Sequence, residues 1–331
     1  MNEPAGTRRQ FLQGLSAAAL AEQIVAQTSG DGFPTRVLGR TKERVSILGI
    51  GGAHLGRIPE EEAFRMLHMA IGEGMTFMDN AWEYNDGRSE VVMGKGLKMD
   101  NLRRKAFLMT KVCSREYEGA KKQIDESLRR LQTDHVDLIQ FHECNYYNDP
   151  DWVFDKGGIR AAEEARTAGK VRYIGFTGHK SPAIHAKMLD KPFAWDTVQM
   201  PNNVMDSGFL SFRQEAMPIA LKKNIGIIGM KGCCGDGRIL KAGLVTVEQA
   251  YRYCLSQPVS VQVVGLSSVD ELKEAIRIAR GFQPLTAAEV AALQSKIKDV
   301  QSDGRYELFK TSKRYDSAYH RTQHGFATGG I

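Results

Sequence analysis

The chain has 331 residues, 42% hydrophobic and 25% charged, which is the ordinary composition of a globular protein able to bury a sizeable core. Its net charge of +6 comes from lysines and arginines interspersed with nearly as many acids, with no basic run carrying interleaved aromatics. A nucleic-acid partner is therefore not expected, and an anionic small ligand is the better use of the charge. The five cysteines show neither CxxC nor zinc spacing, and the adjacent pair Cys233–Cys234 would strain a disulfide. They read as mostly buried thiols, and no metal is expected.

The first segment, "TRRQFLQGLSAAALA", sets Arg8 and Arg9 before a short weakly apolar stretch that ends in Ala19-Leu20-Ala21. This is the pattern of a twin-arginine signal with a small-residue cleavage site after Ala21. Residues 1–35 are accordingly read as leader and linker, with the export machinery as a partner and the periplasm as the destination. If that reading fails, the segment is a basic amphipathic helix on a cytoplasmic protein. The apolar stretch is far shorter than the ~20 residues a spanning helix needs, so no stable membrane span is expected. The twin-arginine route carries folded proteins, so a tightly held cofactor can be acquired before export.

Next, "TRVLGRTKERVSILGIGG" reads as two short strands separated by polar residues, an N-terminal hairpin. In "PEEEAFRMLHMAIGEG", Ala63, Met66, Leu67, Ala70 and Ile71 share one helical face. The strand "MTFMD", a helix around Val91 to Leu97 and the strand "AFLMTK" follow. "GAKKQIDESLRRLQ" puts Ala120, Ile124, Leu128 and Leu131 on one stripe ahead of the strand "HVDLIQFH". The alternation continues through helices near 159–168, 182–189, 212–223 and 246–256 and the strands "VRYIGF", "DTVQM", "IGIIGM" and "VSVQVVG". "SVDELKEAIRIAR" is the last helix of the series. A further helix near 286–302 precedes a polar tail. About eight strand–helix units over roughly 250 residues predict a closed parallel (β/α)8 TIM barrel of the α/β class. The domain runs over 36–303, closed by the N-terminal hairpin, with an extra C-terminal helix and a tail at 304–331. An open doubly wound sheet would place a GxGxxG turn after its first strand, and "GIGGAHLG" offers none.

Barrels of this kind carry their chemistry at the carboxyl ends of the strands. Those ends fall near Ala53-His54, Asp79, Lys111, His142, Thr177 with His179, Gln199, Met230-Lys231 and Gly265. Asp79, Tyr84, Lys111 and His142 together suggest an acid–base site. A nearby ammonium should lower the phenol pKa of Tyr84, and a carboxylate should hold that lysine charged. His54, His142 and His179 leave a metal-dependent hydrolase or isomerase barrel as an alternative.

"FMDNAWEYNDGRSE", "FLMTKV", "DLIQFH" and "VRYIGFTGH" resemble, in order and spacing, the aldo-keto reductase superfamily, from about residue 36 to 280. The resemblance implies hydride transfer between NADP(H) or NAD(H) and an aldehyde or ketone, giving an alcohol. It implies Tyr84 as general acid, tuned by Lys111 and Asp79, with His142 positioning the carbonyl. It further implies cofactor contacts at Gly52, Ala53, Thr177, Gln199, Met230, Lys231, Gly235, Gly265, Ser267, Ser268 and Glu271, and a substrate pocket at His54, Trp82 and Tyr146. Met230 stands where relatives stack an aromatic residue, and Thr177-Gly178 replaces their serine–asparagine pair. "KGCCGDGR" replaces a proline-containing loop, with glycines that would let amides approach a pyrophosphate. Ser268 and Glu271 have capping-box spacing, and a carboxylate at Glu271 would disfavour a 2′-phosphate, so the choice between the two cofactors stays open. A cofactor-binding interaction or redox-sensing subunit with little turnover is the other alternative.

Overall fold

The computed structural model describes residues 27–28 and 32–328, so Arg8, Arg9 and the proposed cleavage site lie outside the described residues. Strands β1 (Gln27–Thr28), β2 (Pro34–Val37) and β3 (Arg44–Ser46) form an antiparallel sheet. Eight apolar segments then close into a parallel barrel. They are β4 (Leu48–Gly51), β5 (Phe77–Asp79), β6 (Phe107–Val112), β7 (Val136–Phe141), β8 (Val171–Thr177), β9 (Thr197–Pro201), β10 (Gly226–Met230) and β11 (Val261–Val264). Each barrel strand pairs with the next in sequence, and β11 returns to β4. Every residue of β6 and β7 is buried, as expected for strands with helices outside and side chains filling the interior.

The hairpin decides which end of the barrel can work. Leu38 and Val45 enter one apolar cluster with Phe77, Phe107, Met109, Leu138, Ile228 and Val261, sealing the amino-terminal end. The opposite end is the one left for chemistry. There the register holds Gly51 opposite Asp79, Lys111 opposite Gln140 and Thr177 opposite Gln199.

A short helix α1 (Gly52–Leu55) leaves β4 directly, and α2 (Glu60–Gly72) buries the predicted face of Ala63, Met66, Leu67, Ala70 and Ile71. Helix α3 (Arg88–Lys98) follows β5. Helix α4 (Tyr117–Leu131) follows β6 and buries the predicted stripe. Helix α5 (Val269–Arg280) follows β11, and α6 (Ala287–Ile297) is the extra helix. The single helix expected near 212–223 is two, Phe212–Glu215 and Met217–Lys222, with Pro218 in the first turn of the second. Proline lacks the N–H that would continue the first helix.

The tail also departs from its polar composition. It forms α7 (Leu308–Thr311) and α8 (Ala318–Gln323) and buries Glu307, Phe309, Lys310, Asp316 and His320. Those polar groups are largely paired with barrel loops, which is why polarity did not keep them in solvent.

Candidate active site

Asp79 ends β5, and its two oxygens have different partners: Oδ1 accepts from Lys111 Nζ at 2.7 Å and Oδ2 from Gln199 Nε2 at 2.8 Å. Lys111 also donates to the Asn80 carbonyl at 2.7 Å and reaches the Tyr84 hydroxyl at 3.3 Å. The ring of His142 meets that of Tyr84 edge-on, with centroids 5.4 Å apart. The four expected acid–base residues therefore converge. Tyr84 is turned toward them by the loop "YNDG". Asn85, Asp86 and Gly87 take φ of 52°, 54° and 86°, three successive left-handed residues of the types that tolerate it. Asn85 Nδ2 fastens the turn to the Ala53 carbonyl at 2.9 Å.

The electrostatics correct one expectation. Burial, then the negative neighbours Asp79, Glu83 and Glu143, push the Tyr84 phenol well above its ordinary value. Burial and these negative charges outweigh the pull of Lys111 Nζ, 3.3 Å from the hydroxyl. Tyr84 is thus a phenol that holds its proton. Burial lowers the His142 imidazole despite the opposing pull of Glu83, so it is neutral and able to donate or accept one hydrogen bond.

Most of the expected cofactor contacts lie at or just after barrel strand ends. Gly52 lies where a Cβ would sit 2.6 Å from the Asp79 carbonyl, and Ala53 follows it on α1. Thr177 and Gln199 are buried at neighbouring strand ends. Gln199 Oε1 is buried without a hydrogen-bond partner. At Gly178 a Cβ would lie 2.3 Å from the Cys144 carbonyl, so backbone fills the space an asparagine side chain would need. Met230 ends β10, and Lys231 follows with φ of 57°. Burial, helped by Lys111, lowers Lys231 to about 8, with Glu143, Asp316 and Asp79 acting the other way. Gly265 receives the His54 ring so closely that a Cβ would lie 2.1 Å from it. Ser268 caps α5 by accepting from the Glu271 amide at 3.2 Å. The expected capping box is incomplete: Glu271 Oε2 accepts from the Ser267 amide at 2.7 Å instead. That carboxylate occupies an N–H that a phosphate would otherwise use.

The expected substrate-pocket residues are not an open set. His54 lies on α1 with its ring against Gly265. Trp82 donates from Nε1 to Glu126 at 2.7 Å and packs edge-on against Tyr319 of α8. Tyr146 donates to Asp316 at 2.6 Å and packs on His324. The tail also packs on the expected contact Lys231, whose Nζ lies 5.0 Å from the Tyr315 ring centroid and 5.3 Å from that of Phe309. Gly235 faces the Tyr315 ring, which a Cβ would approach at 3.1 Å.

Several neighbours escaped sequence reasoning. Glu83, Cys113 and His320 surround His142, and Asp316 joins Glu143 and His179. Only "YDSAYH" hinted at them, by mixing aromatic and ionisable residues in a tail. His142 and His179 fall in separate groups, and His54 belongs to neither, so the three do not form the ligand set a metal-dependent hydrolase reading would need. All five cysteines are free, and all but Cys233 are buried.

The sequence pattern of the Aldo/keto reductase family matches residues 47–242. The chain is 27% identical over 311 residues to L-galactose dehydrogenase of Arabidopsis thaliana, covering 80% of this chain and 95% of that one. It is 30% identical over 242 residues to the uncharacterized oxidoreductase YrpG of Bacillus subtilis, covering 64% and 72% respectively. Among solved structures it superposes on aldo-keto reductase AKR11C1 of Bacillus halodurans in its holo form with a TM-score of 0.68. The sequences are 27% identical, and the match covers 80% of this chain and 96% of that one. With the barrel and the converging groups at its mouth, these matches mean that the chain belongs to the aldo/keto reductase family and is an oxidoreductase working with NADP(H) or NAD(H).

Proposed function

We propose that the chain interconverts an aldehyde or ketone and the corresponding alcohol, with Tyr84 as the proton-transferring group. The observation that carries this is the shared position of Lys111, 2.7 Å from Asp79 and 3.3 Å from the Tyr84 hydroxyl, at the mouth of the barrel. A bound nicotinamide dinucleotide supplies the hydride in reduction. Gln199 Oε1, a buried acceptor with no internal partner, fits the donor amide of a carboxamide, with Thr177 beside it. Lys231 and the glycines of "KGCCGDGR" would take the phosphates, and Met230 would lie against the ring face.

Tyr84 gives its proton to the carbonyl oxygen as that oxygen gains charge, and Lys111 stabilises the phenolate left behind. Asp79 holds Lys111 in place at 2.7 Å. His142, neutral, donates to the same oxygen and orients the substrate. Because Tyr84 is pushed up rather than down, the protonated phenol is present at neutral pH, which favours its role as acid in reduction. Glu271 at the Ser267 amide supports NAD(H), whose ribose hydroxyl it can accept from, while NADP(H) remains the family's other option.

The resemblance of this chain to a protein named L-galactose dehydrogenase makes aldoses one substrate class to try. The test is oxidation of NADH and NADPH against a panel of aldoses, aryl aldehydes and ketones, with the reverse reaction on the alcohols. Turnover that disappears in Tyr84→Phe is the expected result. Bound dinucleotide without turnover on any carbonyl would favour a cofactor-binding subunit. Export through Arg8-Arg9 is part of the same proposal, since the folded chain would carry its cofactor across the membrane.

A further inference from the structure

Glu83, Cys113, His142 and His320 converge at the barrel mouth, each offering one donor atom, and the four atoms all lie within 4.8 Å of one another. Cys113 follows β6, His142 follows β7, Glu83 precedes Tyr84, and α8 delivers His320. Cys113 and His320 are both 0% exposed. Buried polar groups normally find partners inside the protein. Here neither ring nitrogen of His320 has one, although the ring is fully buried. His142 Nδ1 pairs with Glu83 Oε1 at 2.8 Å. His320 Nε2 is 3.8 Å from Glu83 Oε2. Each such atom left unpaired costs about 1–3 kcal/mol.

The neighbouring group of Glu143, His179 and Asp316 is equally close-set yet satisfied. His179 donates from Nδ1 to the Phe309 carbonyl at 3.0 Å and accepts at Nε2 from Asn145 at 3.1 Å. Asp316 takes Tyr146 at 2.6 Å and Lys180 at 2.9 Å, and Glu143 takes the Ser317 amide at 3.1 Å. That group needs no further ligand.

We propose that Glu83, Cys113, His142 and His320 bind one zinc-like divalent cation. Thiolate and imidazole donors select such an ion over magnesium or calcium. A tetrahedral ion with bonds of about 2.0–2.3 Å keeps its donors roughly 3.3–3.8 Å apart. The 3.8 Å between His320 Nε2 and Glu83 Oε2 lies at the edge of that range, while the 2.8 Å pair of His142 Nδ1 and Glu83 Oε1 would open by about 0.5 Å to admit the ion. Binding releases the Cys113 thiol proton to solvent, and thiolate plus carboxylate then balance the two charges of the ion. Coordination through Nδ1 leaves the other nitrogen of His142 for a carbonyl, so the site is compatible with the proposed reaction without resting on it. Its consequence is mechanical: the bond to His320 ties α8, and with it Tyr319, to the mouth.

The test uses the full chain, stripped with a chelator and reloaded with Zn2+ or Co2+ alone, reading metal per chain and the cobalt spectrum. One ion per chain is expected, with a near-ultraviolet thiolate-to-cobalt band and tetrahedral bands in the red. Cys113→Ser should remove the thiolate band and weaken Zn2+ binding at least about tenfold, whereas Cys233→Ser should keep both. His320→Gln should weaken binding similarly and speed tryptic cleavage at Arg321, with circular dichroism verifying that each variant is folded. A wild-type chain that takes up neither metal, or a thiolate band that survives Cys113→Ser, overturns the proposal. Neither readout depends on turnover, so the reductase reading fails or stands separately.

Discussion

Gln199 donates through Nε2 to Asp79 Oδ2 at 2.8 Å, which fixes the orientation of its amide because a carboxylate oxygen only accepts. The carbonyl oxygen of Gln199 is then the end left over, buried and unpartnered. One hydrogen bond thus couples Asp79, and through it Lys111 and Tyr84, to the proposed nicotinamide cradle. A change on either side is felt on the other.

Gln199→Ala should accordingly weaken both functions. Losing the acceptor removes a bond worth about 0.5–1.5 kcal/mol, and leaving Asp79 Oδ2 unpaired adds a further cost. Dinucleotide affinity should fall about tenfold, read by titrating nicotinamide fluorescence, and turnover should fall with it. Unchanged affinity would remove Gln199 from the cofactor site.

Tyr84→Phe deletes one hydroxyl and should leave folding and dinucleotide affinity intact while carbonyl reduction drops about 100- to 10,000-fold. The wild-type pH profile adds a check on sign. Reduction needs the protonated phenol, present below the Tyr84 pKa and lost above it. Because burial and three carboxylates raise that pKa, no fall in kcat due to Tyr84 should occur below about pH 10. A limb near neutrality carried by Tyr84 would mean the phenol is lowered in the working enzyme.

Lys231 should shape a different part of the profile. Its folded value of about 8 means that its charge is present below that pH and lost above it. If it holds the dinucleotide phosphates, kcat/KM for the cofactor should fall as pH rises through about 8 while kcat holds. Lys231→Arg, which stays charged, should flatten that fall. A fall that persists in the arginine variant would assign it to another group.

The barrel was legible because its signal is repeated. Ala63, Met66 and Leu67 on one helix and "FLMTKV" as an unbroken apolar strand each specify a layer, and eight such units leave little choice. Asp79, Lys111 and His142 were legible because an ionisable residue ending a buried strand must point into the mouth. The sign at Tyr84 was not, since it depends on how deeply the phenol is buried and then on negative neighbours, of which Glu143 comes from the loop after a different strand. The tail was not legible either. Lys310, Asp316 and His320 carry no periodicity, and Asp206 and Tyr146, which pair with the first two, lie on elements far away in sequence. Spacing says nothing of Cys113, because it detects only groups close in sequence, whereas Glu83, His142 and His320 come from other elements.

Replacing Arg8 and Arg9 by lysine should retain the protein in the cytoplasm if they direct twin-arginine export, as seen by fractionation. Free dinucleotide is scarce outside the cytoplasm, so the exported enzyme should release its cofactor slowly and turn over by alternate reduction and oxidation of the bound molecule. Dissociation is measurable by dilution into a competing dinucleotide. Unchanged location would discard the leader, and fast release from an exported chain would discard cofactor retention while leaving the reductase reading in place.

Lys310 tests whether the tail belongs to the fold. Its Nζ donates to Asp206 Oδ1 and Glu307 Oε2, both at 2.9 Å, and to the Phe209 carbonyl at 2.7 Å, with all three side chains buried. Burial already raises the Glu307 carboxyl, and Lys310 is what opposes it. Lys310→Met would leave two carboxylates facing each other without a cation, a change that costs about 3–5 kcal/mol in buried pairs. The urea midpoint should fall accordingly, and adding Asp206→Asn should recover part of the loss by removing one of the stranded charges. A shift below about 0.5 kcal/mol, the size of an ordinary surface substitution, would mean that residues 304–323 pack on the barrel without stabilising it.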